Sequence, residues 1–376
     1  MKQRIKETLS VMILFVIILT GCNLSKSNNF TLNQVTSISN AHAVQGTAAY
    51  AGNLFICDKY GYCYMYTLTN GKFIAKFALG SMDESDGPTQ NHCNQMMFGP
   101  EKFEQADPYP LLYVTTGYSN DHDKTGAYYG KCSIERIRHS KTKGWYSEIV
   151  QTIEFNDEAN IPDNNIDGTL TQMYKNGKFL YTSGNGYDAT VGYQKIGYGW
   201  PHFYVDSSPT TKTRGKLYIY STRFRGTESY EDKAKEKYNI TSFEQDNRYI
   251  ITSFVMPVLP ESENDESYGK TVTLYPKDII GQFETAYDTY FFQGGTMHNG
   301  RIYHAYGDGK QNKKYRDTIL IFDVAKGKKI KKLELHTTEV AHWELECCFF
   351  YEDNLWVSAY NKNKLNPTIN IYSFKF

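Results

Sequence analysis

The sequence lacks an excess of charge of either sign: its 376 residues include 41 Lys and Arg and 41 Asp and Glu. A protein that binds nucleic acid needs a basic surface to neutralise phosphates, so this balance argues against nucleic acid as a partner. Beyond its first 21 residues, the sequence also lacks an apolar run long enough to cross a bilayer. Any membrane attachment therefore has to come from the N-terminus.

Motifs of common enzyme sites are missing as well. No G-x-S-x-G elbow, H-E-x-x-H pair or phosphate-binding glycine loop occurs. Cysteine is scarce, and four of the cysteines show no metal-ligand spacing: Cys93, Cys132, Cys347 and Cys348. Cys57 and Cys63 flank a short turn between two strand-like runs, so they form either a disulfide or two buried, reduced thiols.

The N-terminus has the form of a secretory signal. A basic segment (Lys2, Arg4, Lys6) precedes an apolar run over 9–19 that is too short for a membrane-spanning helix. The run ends in Leu19-Thr20-Gly21-Cys22, which resembles the lipobox of bacterial lipoproteins. This resemblance implies a signal peptide over 1–21 and a lipid anchor at Cys22, followed by a tether over 22–29. The alternative is a plain secretory signal. Either way, we expect the mature chain outside the cytoplasm, in the cell envelope.

Six segments repeat one pattern of strand, turn and hydrophobic strand. They are 48–57, 95–115, 172–183, 242–253, 296–306 and 348–359. The second strand of each begins at Leu54, Leu111, Phe179, Tyr249, Ile302 and Leu355. Repeats of short strands and tight turns are typical of a β-propeller. We predict an all-β chain with a single propeller over 30–376, which is six-bladed, with five or seven blades as alternatives.

The two ends of the predicted propeller complement each other. The last repeat offers only three strands, and residues 30–39 form a strand-like run outside any repeat. We expect this run to pair with 368–376 as the outer strand of the last blade, because closing the ring removes an exposed sheet edge.

Four connections are much longer than hairpin turns: 116–131, 184–215, 254–270 and 307–317. We assign all four to positions between the second and third strands of blades. In an up-and-down blade, such connections lie on the face where the innermost strand begins. Long loops on a rigid scaffold commonly carry binding and catalysis, so we expect the functional site on that face.

Three histidines precede innermost strands at matching positions: His42, His92 and His342. Polar residues that begin the same strands add a lining, namely Gln45, Asn94, Gln293, Glu344 and Glu346. At one mouth of the central channel, these side chains fit three roles. The first is a divalent-metal site with the histidines as ligands. The second is a hydrogen-bonding site for a sugar or another polar molecule. The third is a lining that only orders water.

Tyrosine is the compositional outlier, with 32 residues. The connection 184–215 is especially aromatic, and the side chains that we expect to contact a ligand there are Tyr187, Tyr198, Trp200 and His202. Aromatic faces beside carboxylates and amides suit stacking on sugar rings. The alternative is that these side chains form a small core of the loop itself.

Two features of the sequence are its repeat form and the segment His92-Cys93-Asn94 followed by a strand after Pro110. In these features the chain resembles the uncharacterised β-propeller lipoproteins common in gut bacteria. The resemblance implies an extracytoplasmic protein that binds a ligand at its long-loop face. Our first hypothesis is a carbohydrate-binding protein without catalytic activity. The alternatives are a metal-dependent polysaccharide lyase or hydrolase, and a protein-interaction scaffold of the cell envelope.

Overall fold

A computed structural model of the chain describes residues 30–41, 44–82, 93–116, 130–155, 202–222, 248–275, 278–286, 292–307, 317–335, 343–361 and 366–375, together with the backbone of Tyr174–Lys175 and Lys178–Phe179. All of the regular structure in these residues is β-strand. Five sheets form the blades of a β-propeller: four are four-stranded and antiparallel, and one has a fifth strand added to its edge. The predicted fold class is confirmed.

The strands follow the chain around the ring. The N-terminal strand is β1 (Thr31–Ser39). Blade 1 contains β2 (Val44–Tyr50), β3 (Asn53–Asp58), β4 (Tyr62–Thr67) and β5 (Phe73–Ala78). Blade 2 contains β6 (Cys93–Phe98), β7 (Leu112–Thr116), β8 (Gly130–Ser140) and β9 (Gly144–Phe155). A separate two-stranded ladder joins β10 (Tyr174–Lys175) and β11 (Lys178–Phe179).

Blade 3 contains β12 (His202–Tyr204), β13 (Lys216–Thr222), β14 (Arg248–Val255) and β16 (Ile279–Ala286). Between its last two strands, β15 (Lys270–Leu274) adds a fifth strand to blade 2, parallel to β9. Blade 4 contains β17 (Phe292–His298), β18 (Arg301–Tyr306), β19 (Thr318–Asp323) and β20 (Lys328–Glu334). Blade 5 contains β21 (Glu344–Tyr351), β22 (Asn354–Asn361) and β23 (Thr368–Lys375).

The ring closes as predicted. β1 is the fourth strand of blade 5 and pairs antiparallel with β23, from Thr31 opposite Lys375 to Ser39 opposite Thr368. The outer edge of the last blade is therefore supplied by the start of the propeller, and β23 has a hydrogen-bonded neighbour on both sides.

The number of blades is five, one of the two alternatives, and not the favoured six. Leu54, Ile302 and Leu355 lie in second strands and Leu111 directly precedes one, as expected. Tyr249, however, lies in β14, the third strand of blade 3. The repeat over 242–253 is thus not a separate blade. Second and third strands have the same alternation of apolar residues, so the pattern does not distinguish their positions in a blade.

The first strand of each blade is innermost: β2, β6, β12, β17 and β21 contact one another around the axis. We call the face at which these strands begin the upper face. The segments 116–131 and 307–317 join the second and third strands of blades 2 and 4, as predicted, and the flanking strand ends lie at the upper face; residues 117–129 and 308–316 lie outside the described residues. The other two assignments are wrong, because 184–215 contains an innermost strand and 254–270 follows a third strand. Residues 205–215 follow the innermost strand β12, and 256–269 follow the third strand β14, so both segments start from the lower face.

Cysteine pairing differs from both expectations. Cys57 lies opposite Cys63 in the β3–β4 ladder, but its disulfide partner is Cys93 on β6, with 6.4 Å between the Cα atoms. Cys63 remains a buried thiol. The disulfide links blade 1 to blade 2 near the upper face. Among the residues that the structure describes, no helix is long and apolar enough to cross a membrane.

Candidate functional site at the upper end of the axis

Four of the five innermost strands contain an irregularity at the same height, close to the upper face. The register shifts between Val44 and Thr47 in β2 and between Cys93 and Gln95 in β6. It also shifts between Phe292 and Gly295 in β17 and between Leu345 and Cys347 in β21. The residues inside these bulges are Gln45, Gly46, Asn94, Gln293, Gly294 and Glu346. Bulges often re-aim side chains beside functional sites.

The bulge residues, with Glu344, form what we call the axial ring: Gln45, Asn94, Gln293, Glu344 and Glu346. Gln293 Nε2 donates to Gly307 O at 2.9 Å and to Glu344 Oε1 at 3.2 Å, which links blade 4 to blade 5. Asn94 and Glu346 are buried. Amides supply both donors and acceptors and carboxylates supply acceptors, so the ring suits a ligand rich in hydroxyl groups.

Glycine makes this convergence of strands possible. A Cβ added to Gly46 would lie 2.7 Å from Met96 N, and one added to Gly294 would lie 2.8 Å from Cys347 Sγ. Real Cβ atoms do not approach other atoms so closely, so a larger residue at either position would push the innermost strands apart. A glycine within a strand often marks such a close approach of backbones.

The innermost strands contribute negative charge only. Over the bounds given above, the sequences of β2, β6, β12, β17 and β21 contain no Lys or Arg, and their only carboxylates are Glu344 and Glu346 on β21. A group with negative charge is unfavourable beside these two carboxylates, because like charges repel.

Apart from His202, the predicted site residues fall into two sets. Gln293 and Glu344 hydrogen-bond to each other, and Asn94 lies at the matching position of β6, where its backbone approaches Gly294 of β17. His42, His92, His342, Tyr187, Tyr198, Trp200 and Cys22 lie outside the described residues. Within the described residues, no group of His, Cys, Asp or Glu side chains is arranged to hold a metal ion.

His202, predicted as a loop residue, begins β12 and is only 1% exposed. Its ring lies edge-on to that of His304, with the centroids 4.7 Å apart. His304 is on β18, so the two imidazoles pack between blades 3 and 4. His202 therefore belongs to a packed blade interface.

A buried cluster of histidine and tyrosine surrounds this pair. The Tyr204 hydroxyl hydrogen-bonds to His304 Nδ1, and the Tyr220 hydroxyl hydrogen-bonds to that of Tyr306. Tyr220 also lies against His304, with ring centroids 4.3 Å apart. Sequence reasoning missed this cluster. Its signal in the sequence was that KLYIYST in β13 and RIYHAY in β18, the second strands of blades 3 and 4, both carry polar aromatic residues at alternate positions.

Acid should weaken the propeller through His304. Burial, and next the neighbouring His202, hold the pKa of His304 well below its usual value. The unfolded chain binds a proton near pH 6.5 while the folded chain does not, so stability falls as pH drops from 6.5 towards the lower folded pKa, by about 1.4 kcal/mol per pH unit. Urea unfolding between pH 7.5 and 5 measures this slope. A His304→Gln variant should be less stable at pH 7.5 and show a shallower slope; an equal slope would contradict the assignment.

A second polar cleft lies between blades 5 and 1, also at the upper face. It is small, about 30 Å³ in volume, and its polar lining comes from Asn40, Asp58, Tyr64 and Tyr66. Burial raises the pKa of Asp58. The Asp58 carboxylate accepts hydrogen bonds from Tyr60 N at 2.8 Å, Tyr62 N at 3.0 Å and the Tyr64 hydroxyl at 3.1 Å. These bonds fix the β3–β4 turn, which accounts for Asp58 without a ligand.

Comparison with known proteins leaves the family open. No family model matches the chain, and no curated protein matches it. Solved structures similar to it include exo-β-1,3-galactanase from Phanerochaete chrysosporium with galactose, at TM-score 0.42 and 8% identity, over 88% of this chain and 60% of that one. A variant of the same enzyme with β-1,3-galactotriose gives the same values. Myxococcus xanthus glutaminyl cyclase has TM-score 0.39 and 10% identity, over 92% of this chain and 97% of that one.

This chain thus spans 60% of the length of the galactanase. At such low identities the likeness concerns the fold alone, so function has to be inferred from the residues of this chain. Fold and site together define a five-bladed β-propeller with a polar, acidic ring at the upper end of its axis.

Proposed function

We propose that this protein binds carbohydrate at the axial ring. The observation that carries the proposal is that register shifts near the upper ends of four innermost strands fall at amide and carboxylate residues, and that Gln293 and Glu344 of adjacent blades hydrogen-bond there. A sugar presents several hydroxyl groups, each of which both donates and accepts hydrogen bonds. Two or three well-placed amides and a carboxylate are a common means of fixing such a molecule in a concave site.

The charge of the site narrows the ligand to neutral or amine-bearing sugars. Glu344 and Glu346 are the only charged side chains on the innermost strands apart from histidines, and no Lys or Arg on these strands offsets them. Uronates, sulfated sugars and phosphates would place an anion beside two carboxylates. A basic side chain would be expected in a site for such ligands.

The binding test compares single ring variants in calorimetry against a panel of neutral, amino and acidic oligosaccharides. We expect a neutral or amino sugar to bind, and Asn94→Ala or Gln293→Ala to weaken its affinity about 3- to 10-fold, because each removes a hydrogen bond worth about 0.5–1.5 kcal/mol. The matched control is Asn354→Ala, which removes an exposed amide on the lower face. Equal affinities for the wild type and both ring variants would refute the axial site.

Hydrolysis of the bound sugar is a second candidate function, favoured by the presence of two carboxylates in the ring. Glycosidases use a pair of carboxyl groups, one as acid and one as base or nucleophile. Incubation of the bound oligosaccharide with the protein, followed by an assay for new reducing ends, tests this candidate. Loss of activity in both Glu344→Gln and Glu346→Gln would support it. An additional loss on chelation would indicate the metal-dependent form, with His42, His92 and His342 as ligands.

We further propose that Cys22 carries a lipid that anchors the protein to the cell envelope. Cys22→Ser should release the protein from the membrane fraction or leave it unprocessed, because one acylated residue would be its only hydrophobic anchor. Fractionation of cells that produce each form, with detection of both by immunoblot, measures this. A Cys22→Ser protein that is processed and remains membrane-bound like the wild type would contradict the proposal.

A further inference from the structure

We infer that the lower face of blades 3 and 4 is a membrane-contacting surface, which binds the anionic headgroups of a lipid bilayer. This activity is separate from the proposed binding of carbohydrate, and only the orientation of the anchored protein rests on the proposed lipid at Cys22. Headgroup binding by a folded surface is weak and reversible, so it supports a lipid anchor and does not replace one.

Five exposed cations converge at the lower end of blade 4. Arg301 of β18 lies opposite Asp323 of β19, which in turn lies opposite Lys328 of β20. Lys326, in the turn between β19 and β20, has a side chain that is 62% exposed. With two residues of blade 3, these side chains form what we call the basal patch: Lys212, Arg214, Arg301, Lys326 and Lys328.

One buried carboxylate brings the two blades together at the basal patch. Asp206 Oδ2 accepts hydrogen bonds from the Thr213 hydroxyl of blade 3 and from Gly300 N of blade 4, each at 2.7 Å. Thr213 is flanked in the chain by Lys212 and Arg214, and Gly300 is followed by Arg301. The cations of both blades therefore lie around the same contact.

The basal patch has little compensating negative charge. In the segments that form it, 206–216, 299–303 and 323–329, the only carboxylates are Asp206 and Asp323, and both are buried. Asp323 contacts Lys326 at 3.2 Å, whereas the other four cations form no ion pair within the described residues. Because like charges held together repel, an anionic partner would stabilise this arrangement.

Exposed apolar side chains adjoin the basal patch. Val255 ends β14 and is 63% exposed, and Val258 is 87% exposed. Met256 N donates to Gly215 O at 2.9 Å, so this segment lies directly beside Arg214. A soluble anion gains nothing from apolar side chains, whereas the interface of a bilayer takes them up next to the headgroups that cations contact. A bilayer is therefore the anionic partner that fits both features.

The chain from Cys22 reaches the propeller at the same face. β1 starts there, since Thr31 lies opposite Lys375 at the end of β23. The ring of Phe30 packs on Phe374, with centroids 5.1 Å apart, against the apolar cluster between blades 4 and 5. Cys22 precedes Phe30 by eight residues, which span about 28 Å at most. A lipid at Cys22 would thus hold the lower face near the bilayer, with the axial ring facing away from it.

The first test is binding to vesicles without any lipid on the protein. The protein is the chain from residue 23 onward, which keeps every strand from β1 to β23. The vesicles are pure phosphatidylcholine, or phosphatidylcholine with about one-third phosphatidylglycerol. We expect sedimentation with the anionic vesicles only, and loss of binding as the salt concentration rises. Equal binding to both kinds of vesicle, or binding to neither, would overturn the inference.

A matched pair of triple variants locates the surface. The first removes three cations of the basal patch that form no ion pair, in Lys212→Gln/Arg214→Gln/Lys328→Gln. The second removes three lysines from the upper half of blades 1 and 2, in Lys59→Gln/Lys76→Gln/Lys131→Gln. We expect the partition coefficient on anionic vesicles to fall about 10-fold or more in the first variant and about 2-fold or less in the second. Equal losses would show that binding follows net charge and not the basal patch.

Val258→Ser distinguishes a bilayer from a soluble anionic polymer. The side chain is exposed, and the bond from Gln151 is accepted by Val258 O, so the substitution leaves the fold intact. We expect vesicle binding to weaken about 2- to 5-fold and binding of polyphosphate to be unchanged. If polyphosphate binds as tightly as the vesicles per phosphate, and Val258→Ser weakens neither, the basal patch serves a soluble anion and the inference is wrong.

Acetylation of the lipidated wild-type protein on anionic vesicles measures its orientation. We expect several-fold protection of Lys212, Lys326 and Lys328 relative to Lys59 and Lys131. Equal labelling of the two sets would contradict the orientation. Failure of the proposals on Cys22 or on carbohydrate leaves the vesicle experiments unaffected, because the protein in them carries neither lipid nor sugar.

Discussion

Replacing Arg136 with methionine should lower the free energy of unfolding by about 3–5 kcal/mol. Arg136 lies on β8 and is 1% exposed. Its guanidinium contacts Asp107 at 2.7 Å and Glu263 at 2.5 Å, and lies 4.7 Å from the centre of the Phe103 ring. Asp107 is also buried. Without the cation, the Asp107 carboxylate would remain buried beside other acidic groups, and this uncompensated charge is the main cost.

Arg138, two residues further along β8, provides the control. It contacts the same Glu263 at 2.8 Å but is about one-third exposed. Because exposed ion pairs contribute little, Arg138→Met should change stability by about 1 kcal/mol or less. Urea unfolding of the wild type and both variants gives the comparison. Equal effects of the two substitutions would show that burial of Arg136 is not what makes it important.

The loss of stability in Arg136→Met should also have a local effect on the segment that contains Glu263. Glu263 belongs to the connection 256–278, which carries β15 to the edge of blade 2. Arg136 therefore connects blade 2 to the segment that extends from blade 3 to the edge of blade 2. In Arg136→Met, we expect hydrogen exchange to increase first in Lys270–Leu274.

Deleting residues 30–39 should lower the melting temperature by about 10 °C or more, or cause aggregation. The deletion removes β1, so β23 loses its outer neighbour, and with it the antiparallel ladder from Thr31 to Ser39. It also removes Ile38, which is buried against the first and last blades. The exposed edge of β23 then becomes available to pair with other molecules.

A chain that begins at residue 30 is the appropriate reference, since it keeps β1 intact. Differential scanning fluorimetry and size-exclusion chromatography of the two forms measure stability and association. An unchanged melting temperature after removal of 30–39 would show that blade 5 does not depend on β1. An intermediate test is Ile38→Asp, which keeps the strand but places a charge in the interface.

The class of fold and the closure of the ring could be predicted because their signals are local. Turn residues at Gly52, Asn299 and Asp353, followed by apolar runs, specify hairpins wherever they occur in the chain. An incomplete last blade and an unassigned first strand then leave only one arrangement without an exposed edge. The polar start of the innermost strands was also visible, so Asn94, Gln293 and Glu344 were among the predicted site residues.

Features that depend on contacts between blades were decided only by the tertiary structure. The run at Tyr249 has the pattern of any inner strand, and its place as the third strand of blade 3 follows from its pairing with β13 and β16. Cys57 has Cys63 opposite it in the hairpin, yet the neighbouring blade brings Cys93 within reach. The bulges that form the axial ring, and the hydrogen bond from Gln95 of blade 2 to Gly295 of blade 4, depend on how five strands fit around one line. Sequence periodicity shows only which residues share a face of a strand. The packing of glycines, the shortness of β12 and the charge at the axis have their effect through strands of other blades. Those strands are in place only once the ring is closed.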